Sequence, residues 1–143
     1  MLRPFMEANL KTFRRVEGIT YGPVSSRRFG RSLGINVFPG LRKVCSFECP
    51  YCQLGFAHKL ERAAEPSHFP TPQEIRTELH QEVQRLQSET PPLDCLTFSG
   101  NGEPTAHPQF PQIVDEVCLV RDALLPEGRI IVLTNGAHLD QPN

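Results

Sequence analysis

A chain of 143 residues, with 38% apolar and 22% charged side chains, can bury one soluble core and has little room for a second. Its apolar run Ile130-Ile131-Val132-Leu133 is far short of the roughly 20 residues of a membrane span, and the N-terminus lacks the apolar stretch of a secretory leader; a cytoplasmic protein is expected. The net charge of −1 hides a split: residues 1–43 carry nine Lys or Arg against two Asp or Glu, and residues 44–143 carry six against fourteen. Such a split marks either a surface for an anionic partner or a solvated basic segment balanced by acidic helices.

Residues 1–17 show little periodicity and read as an N-terminal extension, with the folded domain expected over 18–143. A short strand is expected near Gly18 to Tyr21. Residues 22–32 are rich in Gly, Ser and Arg and read as a basic, turn-forming loop. Leu33 to Phe38 alternates as a strand, and Pro39-Gly40 ends it. Thr71-Pro72-Gln73-Glu74 is a capping box with Pro at the first helical position. Ile75, Leu79, Val83 and Leu86 then recur as one apolar stripe, so a helix is predicted to end near Ser88. Cys95 to Ser99 reads as a short strand and Phe110 to Leu124 as a second helix with Ile113, Val117, Val120 and Leu124 inward. Arg129 to Thr134 reads as a buried strand closed by Asn135-Gly136. The order strand–helix–strand–helix–strand predicts an α/β fold with about three parallel strands joined by right-handed crossovers. In such folds the functional loops gather at the carboxyl ends of the strands.

Five cysteines are present, an odd number, and three fall within eight residues: Cys45-Ser46-Phe47-Glu48-Cys49-Pro50-Tyr51-Cys52. This C-x3-C-x2-C spacing is unlike a disulfide framework and points to metal or redox chemistry. Three thiolates are too few to close a tetrahedral zinc site or to ligate every iron of a 4Fe–4S cluster. A cubane held by three cysteines leaves one iron open to an outside ligand. A zinc knuckle completed by His58 or Cys95 is the alternative. Cys95 and Cys118 otherwise read as core residues.

These motifs resemble those of the radical S-adenosylmethionine enzymes. The three-cysteine loop, with aromatic Tyr51 before its last cysteine, is similar to that family's cluster-binding signature, and Ser99-Gly100-Asn101-Gly102-Glu103-Pro104 resembles its Gly-Gly-Glu-Pro motif. The stretch Gly22 to Asn36, and Gly102-Glu103-Pro104-Thr105 followed by His107-Pro108, are similar to a branch of iron–sulfur oxidoreductases related to wybutosine tRNA-modifying and molybdenum-cofactor A enzymes. The resemblance implies a 4Fe–4S cluster on Cys45, Cys49 and Cys52. It implies S-adenosylmethionine on the open iron, with Tyr51 near the adenine and Gly100, Gly102 and Glu103 receiving the methionine amino group. Reductive cleavage to a 5′-deoxyadenosyl radical would follow, fed by a flavodoxin- or ferredoxin-like electron donor. The implied fold is a partial (βα)6 barrel, of which this chain would be the N-terminal half, truncated to three strands. A complementing C-terminal half or self-association would then be required. A non-catalytic metal-binding remnant, holding iron–sulfur or zinc, is the alternative.

The remaining polar residues give weaker signals. Arg27, Arg28 and Arg31 could meet the phosphates of a substrate such as tRNA or pair with acidic side chains. Thr134-Asn135-Gly136 is expected to face the same pocket, its role as a ligand left open. His107 reads as the residue leading into the second helix, and His58, His80 and His138 have no partner pattern.

Overall fold

The computed structural model describes residues 16–40, 43–55 and 69–140. Four strands and two helices follow one another: β1 (Thr20–Ser26), β2 (Gly30–Ile35), α1 (Pro72–Leu86), β3 (Cys95–Phe98), α2 (Phe110–Leu124) and β4 (Arg129–Val132). They form one sheet in the order β1-β2-β3-β4. β1 and β2 are an antiparallel hairpin, whereas β3 lies parallel to β2 and β4 parallel to β3.

Local signals account for both helices. Thr71 caps α1: its hydroxyl accepts the Glu74 N–H at 3.2 Å, and the Glu74 carboxylate accepts the Thr71 N–H at 2.7 Å. The first turn thereby satisfies donors that no earlier carbonyl reaches. Ile75, Leu79, Val83 and Leu86 are buried along one face of α1, and Ile113, Val117 and Val120 along one face of α2. Both stripes pack on Leu33 and Ile35 of β2 and Leu96 and Phe98 of β3, the alternate residues that share one face of the sheet. The opposite face of β2 and β3 carries Ser32, Gly34, Cys95 and Thr97, all buried. There the Ser32 and Thr97 hydroxyls meet at 2.6 Å. The Tyr21 ring lies where a side chain on Gly34 would stand, a Cβ there coming within 2.3 Å of it, and its hydroxyl bonds the Ser99 hydroxyl.

The half-barrel of parallel strands is not what forms. The sheet is mixed and four-stranded, with one antiparallel pair, and two helices pack against it and each other. The discrepancy arises at residues 20–32. Pro23, Gly22 and the serines suggest a loop, yet β1 runs through them with its register broken between Tyr21 and Val24. An edge strand tolerates this because a proline there removes no ladder hydrogen bond from a second neighbour. Only Arg27 to Phe29 remain as the turn, and β2 starts at Gly30, earlier than the alternation suggested. Cys95 is fully buried as expected, while Cys118 is half-buried on α2. No helix among the described residues is long and apolar enough to cross a membrane.

Candidate functional site

Three loops meet at the carboxyl ends of the parallel strands: residues 43–55 beyond β2, 99–104 beyond β3 and 133–136 beyond β4. They enclose a cavity of about 440 Å³ lined by the three cysteines Cys45, Cys49 and Cys52 together with Tyr51, Gly102, Glu103 and Asn135. The loops are stitched by backbone pairing. Val44 forms a parallel bridge with Gly102: its N–H donates to Asn101 O and its carbonyl accepts from Glu103 N–H, both at 2.8 Å. Gly102 has φ +148°, and a Cβ on it would sit 2.0 Å from the Val44 carbonyl oxygen. Only glycine allows the cysteine loop to approach this closely.

Two buried asparagines hold the glycine-rich loop from beneath. Asn36, fully buried, accepts the N–H groups of Phe38 and Asn101 on its side-chain oxygen and donates to the carbonyls of Val16 and Gly18. The Asn101 side chain donates to Val16 O and Phe38 O and accepts from Val16 N–H. Neither residue stood out in the sequence. For Asn36 the available signal was an amide side chain within an apolar run, where it is costly unless paired.

Glu103 is 3% exposed. One carboxylate oxygen accepts from the Thr105 N–H at 3.1 Å and from the hydroxyls of Thr105 and Thr134, both at 2.6 Å; the other accepts from the Asn135 N–H at 2.6 Å. Burial alone would push this carboxyl up, but the donors from Asn135, Thr105 and Thr134 outweigh it and hold it below the ordinary carboxylate range. All four donors are neutral, so a full negative charge stays at the cavity wall. The loop after β4, left open on sequence grounds, is thus tied to the loop after β3. Asn135 also reaches the third loop, its side-chain amide lying 3.5 Å from Cys45 Sγ.

The thiols are free, half-buried and not paired as disulfides. Cys45 Sγ also accepts from the Phe47 N–H at 3.4 Å. Tyr51 is 83% exposed, and its hydrogen bond to Cys49 raises its phenol above the ordinary value. Gly100, at φ +122°, forms part of the wall. Soft sulfur donors suit a thiophilic metal, yet among the described residues no three His, Cys, Asp or Glu side chains close on a point that could hold an ion. The three sulfurs share a wall without meeting, so the loop must tighten for a metal to be held. His58, the alternative zinc ligand, lies outside the described residues. Cys95 is buried in β3, where its thiol faces the Phe29 carbonyl at 3.4 Å.

The basic residues sit elsewhere. Arg27 and Arg28 are exposed at the β1–β2 turn, with the Arg28 guanidinium 5.4 Å from the centre of the Phe29 ring. Arg31 is engaged inside the fold, donating to Glu89 at 2.5 Å and to the Pro91 carbonyl. All three lie at the end of the sheet opposite the cavity. His107 leads into α2 as expected: its Nδ1 accepts the Gln109 N–H at 3.1 Å, and its ring is 3% exposed between Phe38 and Phe69.

The chain is 34% identical over 124 residues to a UPF0026 protein of Helicobacter pylori, an alignment covering 87% of this chain and 37% of that one. It is 37% identical over 119 residues to a UPF0026 protein of Methanocaldococcus jannaschii, covering 83% and 33%. It is 33% identical over 133 residues to a GTPase Obg of Brachyspira hyodysenteriae, covering 93% of this chain but 17% of that protein. The chain thus spans about a third of the length of the UPF0026 relatives. No family model and no solved structure matches. These findings correct the resemblance drawn from the two motifs: the comparisons set the chain beside UPF0026 proteins and not among radical S-adenosylmethionine enzymes. The function inferred through that resemblance, reductive cleavage of S-adenosylmethionine on a 4Fe–4S cluster, falls with it, as does its alternative of a remnant of such an enzyme. The implied oxidoreductase activity rests on the same resemblance and falls with it, and the barrel is replaced by the four-stranded mixed sheet.

Proposed function

We propose that the cavity is a ligand site with two halves. The thiols of Cys45, Cys49 and Cys52 take a soft metal centre when their loop tightens, and the wall of Tyr51, Gly100, Gly102 and Glu103 takes a small cationic ligand beside it. The observation that carries this reading is the convergence of three free thiols and one buried, ionised carboxylate on a single cavity. A carboxylate whose partners are all neutral attracts an ammonium or sulfonium group strongly in a partly desolvated wall. The metal would supply the soft Lewis acid. The chain's own groups do the rest: Glu103 orients a positive group, the glycine backbone lets it approach, and Thr134 and Asn135 hold the carboxylate in place. Five free cysteines also fit a reducing compartment such as the cytoplasm.

The test uses the whole 143-residue chain, loaded anaerobically with zinc, with cobalt, or with ferrous iron and sulfide, followed by metal and sulfide analysis per chain. Thiolate-to-metal charge-transfer absorption is expected from one of the three loadings and should disappear in Cys45→Ala, Cys49→Ala and Cys52→Ala while surviving Cys95→Ala and Cys118→Ala. S-adenosylmethionine, which carries both an ammonium and a sulfonium, serves as the cationic probe; Glu103→Gln should weaken its binding at least tenfold. Absence of thiolate absorption in every loading, or its survival in Cys49→Ala, would overturn the metal half. Equal binding of the probe by Glu103→Gln would overturn the other.

A further inference from the structure

Lys43 is 2% exposed, an unusual place for an ammonium. Its Nζ donates to the Gly55 carbonyl at 3.0 Å and to a Glu48 carboxylate oxygen at 3.3 Å. These two acceptors both belong to the cysteine loop, on either side of Cys49 and Cys52: Glu48 stands between Cys45 and Cys49, and Gly55 follows Cys52. The backbone bonds inside the loop are local turns, Cys52 N–H to Cys49 O and Gly55 N–H to Cys52 O. Lys43 itself sits beside Val44, whose backbone pairs with Gly102 in the loop after β3, so its root is fixed to that loop while its tip holds the cysteine loop. It also lines the cavity. A buried ammonium gives little net stability, because desolvation offsets its attractions. Its two bonds do fix geometry, which a methyl-capped side chain of the same length could not.

We infer that Lys43 is a positioning residue that clasps both arms of the cysteine loop and so sets the spacing of Cys45, Cys49 and Cys52. The part of this role that concerns metal rests on the function proposed above; the clasp itself does not. Its physical basis is that a loop of about ten residues held only at its ends samples many closures, and each distant tie removes part of that freedom. Positioning groups of this kind around metal ligands alter affinity about 10–100-fold when removed.

The experiment is amide hydrogen exchange on the metal-free full chain, with cobalt binding read in parallel by thiolate charge transfer. In Lys43→Met the amides of residues 45–55 are expected to exchange at least tenfold faster, with those of Ile75 to Leu86 and Ile113 to Val120 unchanged. Glu48→Gln, which keeps the buried ammonium and weakens one of its bonds, should give a smaller change in the same residues. Lys43→Arg should recover part of the protection. Cobalt affinity should fall at least tenfold in Lys43→Met and less in Lys43→Arg. Unchanged exchange in 45–55 would overturn the inference, and so would faster exchange spread equally through α1 and α2, which would make Lys43 a general core residue. If the unaltered chain bound no cobalt, the metal reading would fail while the exchange data still decided the clasp.

Discussion

Replacing Gly102 by alanine probes the close approach of the cysteine loop to the loop after β3. A Cβ at that position would stand 2.0 Å from Val44 O, 2.6 Å from Val44 C and 2.8 Å from Val44 N. These are backbone atoms, so no side chain can swing aside. The Val44 segment must move off, and two 2.8 Å hydrogen bonds go with it, Val44 N–H to Asn101 O and Glu103 N–H to Val44 O. Each is worth about 1 kcal/mol. The backbone itself, at φ +148°, adds about 1–2 kcal/mol of strain for a residue bearing a Cβ. The expected loss is about 3–4 kcal/mol, or about 10–15 °C in Tm for a domain of this size. Gly55→Ala is the control: its φ is +72° but nothing lies within 4 Å of its Cβ, so only the conformational cost of about 1–2 kcal/mol applies. Urea unfolding followed by circular dichroism would give both values. If the two variants lay within about 0.5 kcal/mol of each other, the steric account of the Val44–Gly102 bridge would be refuted.

The other predictions concern titration and capping. Burial holds the His107 imidazole below its ordinary value, so the unfolded chain binds the extra proton first as pH falls. The His107 contribution is therefore complete above about pH 6.5 and is lost below it, with a slope of at most about 1.4 kcal/mol per pH unit; His107→Gln should remove that slope from urea midpoints. Glu103 is depressed in the fold, so its contribution is present above about pH 4.5 and lost as pH falls through the folded value. Thr134→Val, which removes one of its donors, should cost about 1–2 kcal/mol at pH 7 and progressively less in acid; a cost independent of pH would contradict the charge assigned to Glu103. Thr71→Ala breaks the reciprocal cap of α1 and should cost about 1 kcal/mol, measurable as a shift in the urea midpoint at unchanged slope.

What could be read from the sequence was what local physics decides alone. The capping box at Thr71 and the four-residue recurrence of Ile75, Leu79 and Val83 place α1 within a residue or two. The short apolar runs at Cys95 and Arg129, bounded by Pro and Gly, place β3 and β4, but the second is not the buried strand expected: β4 is a sheet edge with Arg129 and Val132 exposed. What could not be read depends on distant partners. Pro23 is a loop signal until β2 is known to lie on one side of it only. Asn36 and Asn101 are ordinary polar residues until they are seen buried against each other, 65 positions apart. Lys43 looked like one more charge in a basic segment, although its ammonium is turned inward. The three cysteines and Glu103 line one cavity because each follows a strand of the same parallel set. Their chemistry was assigned through a resemblance that the comparisons did not uphold.

Two Asn-Gly steps occur in the loops around the cavity, Asn101-Gly102 and Asn135-Gly136. In an open chain such a step ages: the glycine amide nitrogen attacks the asparagine side-chain carbonyl, ammonia leaves a neutral cyclic imide, and water then opens that ring to a carboxylate. Here both side chains are tied. Asn101 is buried, with its oxygen held by the Val16 N–H and its nitrogen by two carbonyls; the Asn135 oxygen accepts the Ala137 N–H, and its nitrogen faces Cys45. The reaction must wait for a local opening that releases them. The chemical lifetime of the cavity is then set by how often these loops open, and each event would place a second carboxylate close to Glu103 or to the thiols. A protein kept warm would therefore gain negative charge at the cavity wall, one unit for each opened step, with no change of fold required.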